Sequence, residues 1–326
     1  MDTILITGGA GFIGSHLCEH LVAAGDNVVC FDNFNPGYSP EVKLSNLDGL
    51  RNQENFTLIE GDILDRAALN RAFLQFQFTK VVHLAAKAGV RPSILDPASY
   101  ADVNVRGTIN VLEECIGHRT VGKLFFASSS SVYGNNKKLP FSETDSAVNP
   151  ISPYAATKRA GELLCYTYHS LHGIPIVCCR FFTVYGPRQR PDMGIYKFVQ
   201  AISEDREIVL YGDGRTSRDY TYIDDIIHGI TGILDSSYQY DIVNLGESAG
   251  VSLRQLVAYL EEALGKKART RYIPQSPGDV DVTFADIRNA KLRYKYNPQW
   301  PIKAGIEEFV KWFMETRTNR YAVCAE

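Results

Sequence analysis

A glycine-rich turn close to the start of the chain constrains the fold more than any other feature of the sequence. The apolar run 4–6 (Ile-Leu-Ile) leads into the segment 7–14 (Thr-Gly-Gly-Ala-Gly-Phe-Ile-Gly), in which Gly8, Gly11 and Gly14 recur at every third position. Glycine at such positions permits a tight turn, close approach of a diphosphate, and close packing of the next helix on the strand. Free N–H groups at the start of that helix favour an anion. The segment therefore predicts a strand, a phosphate-binding turn and a helix.

Short apolar runs alternate with amphipathic stretches through the first 180 residues. The predicted strands include 4–6, 28–31, 57–59, 81–84, 124–126 and 176–178, and the predicted helices include 14–24, 67–76, 101–116 and 154–171. Apolar strands separated by helices of this length indicate a parallel sheet covered on both faces. Because such crossovers are right-handed, we expect an α/β fold with a Rossmann-type, doubly wound parallel sheet.

The alternation ends at about residue 180. Gly and Pro become frequent, and short strands are mixed with helices at 253–264 and 302–317. We therefore expect residues 1–180 to form a cofactor domain and residues 181–326 a smaller mixed α/β domain for the substrate. The chain is expected to cross between the two.

Composition excludes several classes of function. The 326 residues contain 34 Lys+Arg and 37 Asp+Glu, so the chain lacks the basic surface of a typical nucleic-acid-binding protein. It has no apolar stretch of about 20 residues, so a membrane span is not expected. The seven cysteines form no C-x-x-C pair, which is typical of reduced thiols in a cytoplasmic protein.

An acidic residue follows the glycine turn at the spacing that a dinucleotide site requires. Asp32 ends the second predicted strand, 18 residues after Gly14, where a carboxylate would meet the ribose hydroxyls of adenosine. A carboxylate at this position repels a 2′-phosphate, so NAD is favoured over NADP as the cofactor. Asp62 follows the third strand and is either an adenine contact or a surface residue.

A tyrosine and a lysine stand one helical turn apart in the segment 154–158 (Tyr-Ala-Ala-Thr-Lys). The ammonium of Lys158 is expected to lower the pKa of Tyr154, which would make the phenol a usable proton acceptor. The preceding strand ends in four serines at 128–131, at the edge where parallel sheets bind ligands. An exposed helix pair and an ordinary polar turn are the alternatives.

The segment 16–20 (His-Leu-Cys-Glu-His) formally fits the H-x-x-E-H pattern of some zinc peptidases. It lies on the helix that the glycine turn opens, and the sequence identifies no third ligand. We therefore predict no metal site.

These motifs together resemble the extended short-chain dehydrogenase/reductase family and, within it, the NAD-dependent nucleotide-sugar epimerases. The similarity covers essentially the whole chain. The matching segments are 7–14, 32–33, 62–63, 83–86, Asn104, 128–134, 154–158, 180–187, 218–225 and 277–280.

The resemblance implies roles for individual residues. Tyr154 would take the proton from the hydroxyl at sugar carbon 4, with Lys158 and Ser129 as the other catalytic residues. NAD would be held by Gly8, Gly11, Phe12, Ile13, Gly14, Asp32, Asn33, Asp62, Ile63, Leu84, Ala85, Ala86, Lys87, Asn104, Tyr154 and Lys158. The UDP-sugar would be held by Arg91, Ser129, Ser130, Tyr154, Thr183, Arg190, Tyr211, Arg218 and Asp279. Relatives form homodimers through the helices at 101–116 and 154–171, and Val111, Leu112, Leu163 and Leu164 permit this.

The substrate is predicted by comparing reactions that share oxidation at carbon 4. Dehydratases of this kind carry Thr-Asp-Glu where this chain has serines at 129–131, so elimination lacks its acid. Thr183 and Arg190 match the positions that contact the sugar carboxylate in UDP-glucuronate 4-epimerases, and an arginine fork suits a carboxylate. Arg188-Gln189, in place of the expected Trp-Gly, departs from that pattern. The alternatives are a UDP-glucose or UDP-N-acetylglucosamine 4-epimerase, then a UDP-glucuronate decarboxylase or an NAD-dependent sugar dehydrogenase.

Overall fold

A parallel sheet organises the structure, a computed structural model that describes residues 1–274 and 282–323, with side chains described through residue 317. Within these residues, seven strands form the sheet in the lateral order β10 (Tyr240–Leu245), β6 (Ile176–Phe181), β5 (Lys123–Ser129), β4 (Lys80–His83), β1 (Thr3–Thr7), β2 (Asn27–Asp32) and β3 (Phe56–Glu60). Every neighbouring pair is parallel. The predicted doubly wound parallel sheet is therefore confirmed.

Helices cover both faces of this sheet. Along β1, Ile4 and Ile6 belong to one apolar core and Leu5 to the other, because successive side chains of a strand point to opposite faces. The helices that precede β6 in the chain are α1 (Phe12–Ala23), α2 (Pro40–Ser45), α3 (Arg66–Gln75), α4 (Val90–Leu95), α5 (Pro97–Ala101), α6 (Gly107–His118) and α7 (Pro153–His172). The first core packs on α1, and the second on α3, α6 and α7.

The chain beyond residue 180 contributes both to the main sheet and to a smaller part. Its other strands are β7 (Thr183–Tyr185), β8 (Glu207–Tyr211), β9 (Ser217–Tyr222), β11 (Gly250–Ser252) and β12 (Arg269–Ile273), and its helices are α8 (Gly194–Ser203), α9 (Ile223–Leu234), α10 (Leu253–Leu264), α11 (Arg288–Tyr294) and α12 (Ile302–Val323). β9 lies between β11 and β7, and β12 pairs with β8. Because β10 pairs with β6 in the main sheet, the chain crosses back after residue 180.

No helix in the described part of the chain is both long enough and apolar enough to cross a membrane.

The two helices predicted to pair in a dimer differ in how exposed their apolar residues are. On α6, Val111 and Leu112 are fully buried in the core. They are therefore unavailable for the helix pairing that the sequence permitted, whereas Leu163 on α7 is 52% exposed.

Candidate active site

The glycine turn closes tightly between β1 and α1. Gly8 has φ +73°, and a Cβ atom added there would lie 2.7 Å from the backbone nitrogen of Ala85. A Cβ on Gly14 would lie 2.3 Å from the carbonyl oxygen of Gly8, so neither position accepts a side chain. Gly11 is the N-cap of α1, and no described side chain caps the helix. The N–H groups of the first turn are therefore left for an anion, which fits the diphosphate of NAD.

Asp32 lies buried at the end of β2 with its carboxylate already engaged. Oδ2 accepts a hydrogen bond from Ala10 N (3.2 Å), and Oδ1 accepts from Phe34 N (2.8 Å). The ammonium of Lys43, on α2, donates to Oδ1 at 3.2 Å. Sequence analysis missed Lys43, because nothing in the local pattern pairs it with Asp32. This charge offsets part of the repulsion that Asp32 would exert on a phosphate.

The two loops that follow β2 and β3 meet at the carboxyl edge of the sheet. Asn33 Nδ2 donates to Asp62 Oδ2 at 2.9 Å, so two predicted cofactor residues contact each other. The neighbouring Ile63 is buried against the helix that carries Gly107, where an added Cβ would lie 2.5 Å from its Cδ1 atom. The structure thus brings the predicted adenosine-binding residues to one edge.

The segment 84–87 follows β4 and lies beside the glycine turn, where Ala85 N donates to Thr7 Oγ1. Asn104 holds this segment, because its Oδ1 accepts from Lys87 N (2.8 Å) and its Nδ2 donates to Lys87 O (2.9 Å). Nδ2 also donates to Thr157 Oγ1 on α7 at 3.0 Å. Asn104 lies in a π-helical turn, Asp102–Arg106, of the kind often found at functional sites. Its amide therefore joins the segment 84–87 to α7.

The predicted catalytic residues meet where β5 ends and α7 begins. Ser152 caps α7, since its Oγ accepts from Ala155 N at 3.1 Å, and Tyr154 stands in the first turn. The hydroxyl of Ser129, the last residue of β5, hydrogen-bonds to the phenol of Tyr154. Ser130 follows directly, in the single 3₁₀ turn Ser130–Tyr133. A strand end and a helix start thus place the serine against the tyrosine.

Burial and two neighbours set the acidity of Tyr154. Burial raises the pKa of Tyr154, whereas the hydrogen bond from Ser129 and the positive charge of Arg190 lower it. Lys158 donates to the carbonyl oxygen of Ala127 at 2.7 Å, and burial lowers the pKa of Lys158 to about 8. The effect of Lys158 on the acidity of Tyr154 stays a prediction. In this structure its ammonium contacts the β5 backbone, and Ser129 and Arg190 are two groups that lower the pKa of the phenol.

A buried ion pair that the sequence analysis missed supports this strand end. Glu162, on α7, accepts two hydrogen bonds from Arg180 (Nε and Nη2, both 2.8 Å) and one from Ser128 Oγ (2.6 Å). Arg159 Nη1 donates to it at 2.8 Å. Glu162 stands one helical turn after Lys158 on the same helix, and this spacing could have identified it. The pair fixes the end of β5 beside α7.

Three of the predicted sugar-nucleotide residues can be located by their contacts. The guanidinium carbon of Arg91 lies 3.9 Å from the ring centroid of Tyr211, so these two residues form a cation–π pair. Arg218, on β9, donates from Nη1 to Ser217 O at 2.9 Å. Thr183 is half-buried at the start of β7. The predicted contact Asp279 lies outside the described residues.

The charge of Arg190 acts on Tyr154, and its guanidinium pairs with Asp192, a carboxylate that the sequence analysis missed. Its Nε and Nη2 donate to the two carboxylate oxygens of Asp192, both at 2.9 Å. Its charge acts on the phenols of Tyr154, Tyr100 and Tyr38. Asp192 stands two residues after Arg190, close enough in sequence to have been considered.

The H-x-x-E-H segment on α1 is engaged by another residue. His16 Nδ1 and the carboxylate of Glu19 both contact the guanidinium of Arg188. Within residues 1–274 and 282–323, no group of three or more His, Cys, Asp or Glu side chains is arranged to hold a metal ion.

Comparison with known proteins gives the family. The model of the family described as GDP-mannose 4,6 dehydratase matches residues 5–309. A UDP-glucuronate 4-epimerase of Thermodesulfobacterium geofontis is 42% identical over 316 residues, which are 97% of each chain. The crystal structure of UDP-glucuronic acid 4-epimerase from Bacillus cereus, with UDP-glucuronic acid and NAD, aligns with a TM-score of 0.91 and 36% identity over 96% of this chain and 99% of that chain. The structure of UDP-glucose 4-epimerase from Thermotoga maritima, with UDP-glucose, aligns with a TM-score of 0.89 and 32% identity over 96% and 99%. As the resemblance predicted, this chain belongs to the GDP-mannose 4,6 dehydratase family of the extended short-chain dehydrogenases/reductases.

Proposed function

We propose that this protein is an NAD-dependent UDP-sugar 4-epimerase that interconverts UDP-glucuronate and UDP-galacturonate. The observation that carries the proposal is the position of Arg190, a carboxylate-binding side chain whose charge acts on the phenol of Tyr154. An arginine whose charge reaches the proposed proton acceptor suits a sugar with a carboxylate near the reacting carbon. The relative of Thermodesulfobacterium geofontis supports the same reaction.

In the proposed mechanism, Tyr154 takes the proton from the hydroxyl at carbon 4. It returns the proton after the 4-keto sugar has rotated to present its other face. Ser129 donates a hydrogen bond to the phenolate, and Lys158 holds the end of β5 through Ala127. NAD, when bound, supplies a hydride acceptor for carbon 4 and then a hydride donor to the other face of the 4-keto sugar. The residues proposed to hold it are Gly8, Gly11, Phe12, Ile13, Gly14, Asp32, Asn33, Asp62, Ile63, Leu84, Ala85, Ala86, Lys87 and Asn104.

The substrate creates a chemical hazard that we propose Arg190 and Thr183 control. Oxidation of glucuronate at carbon 4 gives a β-keto acid, which loses carbon dioxide when its carboxylate aligns with the π system of the ketone. Hydrogen bonds from Thr183 and Arg190 would hold the carboxylate out of alignment. Arg190→Ala should therefore raise the ratio of pentose to epimer among the products formed from UDP-glucuronate. An unchanged ratio together with unchanged affinity would remove this role.

The Asp192 pair favours a second candidate, a 4-epimerase of neutral UDP-sugars such as UDP-glucose. Asp192 already occupies Nε and Nη2 of Arg190, so an internal carboxylate stands where the acid sugar would bind. Nη1 of Arg190 has no hydrogen-bond partner among the described residues, and this donor remains for a substrate carboxylate. The two candidates therefore differ in whether Arg190 accepts a second anion.

One experiment tests both candidates. The purified protein is incubated with UDP-glucuronate, UDP-glucose and UDP-N-acetylglucosamine, without added NAD, and the products are resolved by chromatography. We expect UDP-galacturonate from UDP-glucuronate at a rate at least tenfold above the other conversions. Tyr154→Phe, which keeps the ring and removes the proton acceptor, is the matched control and should abolish turnover. Faster conversion of UDP-glucose would favour the second candidate, and no turnover of any UDP-sugar would exclude an epimerase.

We further propose a homodimer formed through α6 and α7. Leu163 and Tyr166 stand three residues apart on α7 and are 52% and 56% exposed, so they share one helix face. Leu163→Glu should convert a dimer into a monomer in size-exclusion chromatography with light scattering. A wild-type protein that elutes as a monomer would contradict the proposal.

We also propose a reducing, cytoplasmic location, which is supported by the buried free thiols at 18, 30, 115, 165, 178 and 179.

A further inference from the structure

Arg188 makes contacts that join the loop after β7 to the cofactor side of the molecule. Its Nη1 donates to Asn46 O at 3.2 Å, and its Nη2 donates to His16 Nδ1 at 3.1 Å. The same guanidinium forms an ion pair with Glu19. The backbone of Arg188 has φ +64°, a left-handed conformation that is unfavourable for a residue with a side chain. The contacts of the side chain stabilise this conformation.

His16 contributes to the same junction from both ring nitrogens. Nε2 lies 2.9 Å from the carbonyl oxygen of Pro187, which only accepts, so Nε2 carries the proton. Nδ1 then accepts from Arg188, and the ring is neutral. Burial, followed by the charge of Arg188, lowers the pKa of His16 to about 3, so this arrangement persists at neutral pH.

The partners of Arg188 belong to the elements that form the cofactor site. His16 and Glu19 lie on α1, which the glycine turn opens. Asn46 reaches the turn itself, because its Nδ2 donates to Ala10 O at 3.1 Å. Arg188 therefore contacts both the helix and the segment that supports the turn.

The other side of the same loop belongs to the sugar site. Arg190, two residues after Arg188, acts on the phenol of Tyr154. Between them, the side chain of Gln189 is buried and donates to Val184 O on β7 at 3.1 Å. A displacement of Arg188 would therefore be transmitted to Arg190 and to β7, which carries Thr183.

We propose that Arg188 is a positioning residue that couples the two sites, so that a nucleotide in the sugar site slows the release of NAD. The inference rests on the proposed function, in which NAD must stay bound between removal and return of the hydride. A ligand that orders the loop strengthens the contacts of the loop with α1. By linkage, the two ligands then increase each other's affinity by the same factor.

The experiment measures the release rate of NAD from the purified holoprotein, with and without saturating UDP. Released NAD is trapped by excess alcohol dehydrogenase and ethanol, and its reduction is followed at 340 nm. UDP is the probe because it carries no sugar that could be oxidised. We expect UDP to slow release from the wild type by about 5-fold or more, within the usual range of coupling between sites. In Arg188→Ala the ratio of the two rates should fall to near one.

The controls separate coupling from loss of stability. Arg271→Ala removes a guanidinium that pairs with Glu207 on β8, and it should keep the wild-type ratio. Arg188→Gly is a second variant, for use if Arg188→Ala does not fold. Glycine suits the positive φ, so this variant removes the side-chain contacts without backbone strain and should also abolish the effect of UDP. Glu19→Gln should reduce the effect in part.

A wild-type ratio of one, or an unchanged ratio in the folded Arg188 variants, would overturn the proposal. If no UDP-sugar is converted, the proposed function is wrong. The effect of UDP on the release of NAD is measured separately and does not depend on that result.

Discussion

Replacing Ser129 with alanine tests the proposal that Tyr154 is a proton acceptor whose acidity depends on Ser129. Tyr154 is buried, and burial alone opposes the charged phenolate. The hydrogen bond from Ser129 and the charge of Arg190 favour it. The variant loses the first of these, so the pKa of Tyr154 should rise and less phenolate should be present at neutral pH.

The size of the effect follows from the value of that hydrogen bond. A hydrogen bond to a charged group contributes about 1.5–3 kcal/mol. Because about 1.36 kcal/mol of barrier corresponds to a tenfold change in rate, Ser129→Ala should lower kcat at pH 7 by roughly 10- to 150-fold. The sign of the pH dependence follows as well. A base with a raised pKa becomes deprotonated only at higher pH, so the deficit should shrink as pH increases.

The assay is kcat for UDP-glucuronate between pH 6 and pH 10, with products separated by chromatography. Ser131→Ala is the matched control, because Ser131 contacts Ser129 through its backbone N–H and not its hydroxyl. That control should follow the wild-type profile. A Ser129→Ala variant whose deficit is equal at every pH would refute the argument, since Ser129 would then act by some means other than the acidity of Tyr154.

Three further predictions concern the buried ion pair, the glycine turn and a buried acid. Glu162→Gln should destabilise the protein by about 3–5 kcal/mol in urea unfolding, because it leaves Arg180 as a buried, unpaired charge; Glu162→Leu combined with Arg180→Met should recover most of this loss, and no recovery would contradict the reasoning. Gly14→Ala should lower the NAD content of the purified protein and cost about 1–3 kcal/mol, because the new Cβ would lie 2.3 Å from Gly8 O; full NAD content would count against a closed turn. Burial, then the charges of Asp225 and Asp219, raise the pKa of Glu247 to about 7, so its contribution to stability is present at acid pH and is lost as pH rises through about 7. Glu247→Gln should therefore be more stable than the wild type at pH 8, by about 1 kcal/mol after allowance for partial exposure, and equally stable at pH 4. Tm measured at both pH values checks this, and a difference in Tm that does not vary with pH would argue against it.

Local patterns in the sequence were sufficient to predict the cofactor half of the fold. The apolar run at 28–31 falls within β2, and the helical pattern at 154–171 falls within α7. The spacing of Tyr154 and Lys158 predicted their shared helix, and the serines at the end of β5 predicted the facing strand. Strand alternation and helical spacing are properties of neighbouring residues, so they can be recognised without knowledge of the tertiary structure.

Partners that are distant in sequence were beyond the reach of such patterns. Residues 181–326 were predicted to form mainly the smaller domain, but the hydrogen bonds of one of their strands, β10, place it beside β6 in the main sheet. Periodicity reports which residues are buried and does not report which strand lies alongside. The same limit applies to Lys43, whose contact with Asp32 depends on how α2 packs against β2.

The sequence by itself therefore predicted the glycine turn, the parallel sheet and the family, and it placed Ser129 on a strand end and Tyr154 and Lys158 on one helix. The tertiary structure decided which charges act on those residues. It directed Lys158 to the backbone of β5, brought Arg190 to Tyr154, and joined Arg188 to His16, which lies 172 residues away. The physical reason is that turns and helical spacings are set by adjacent residues, whereas charge pairing in a folded protein depends on distances that only the packing of the whole chain defines.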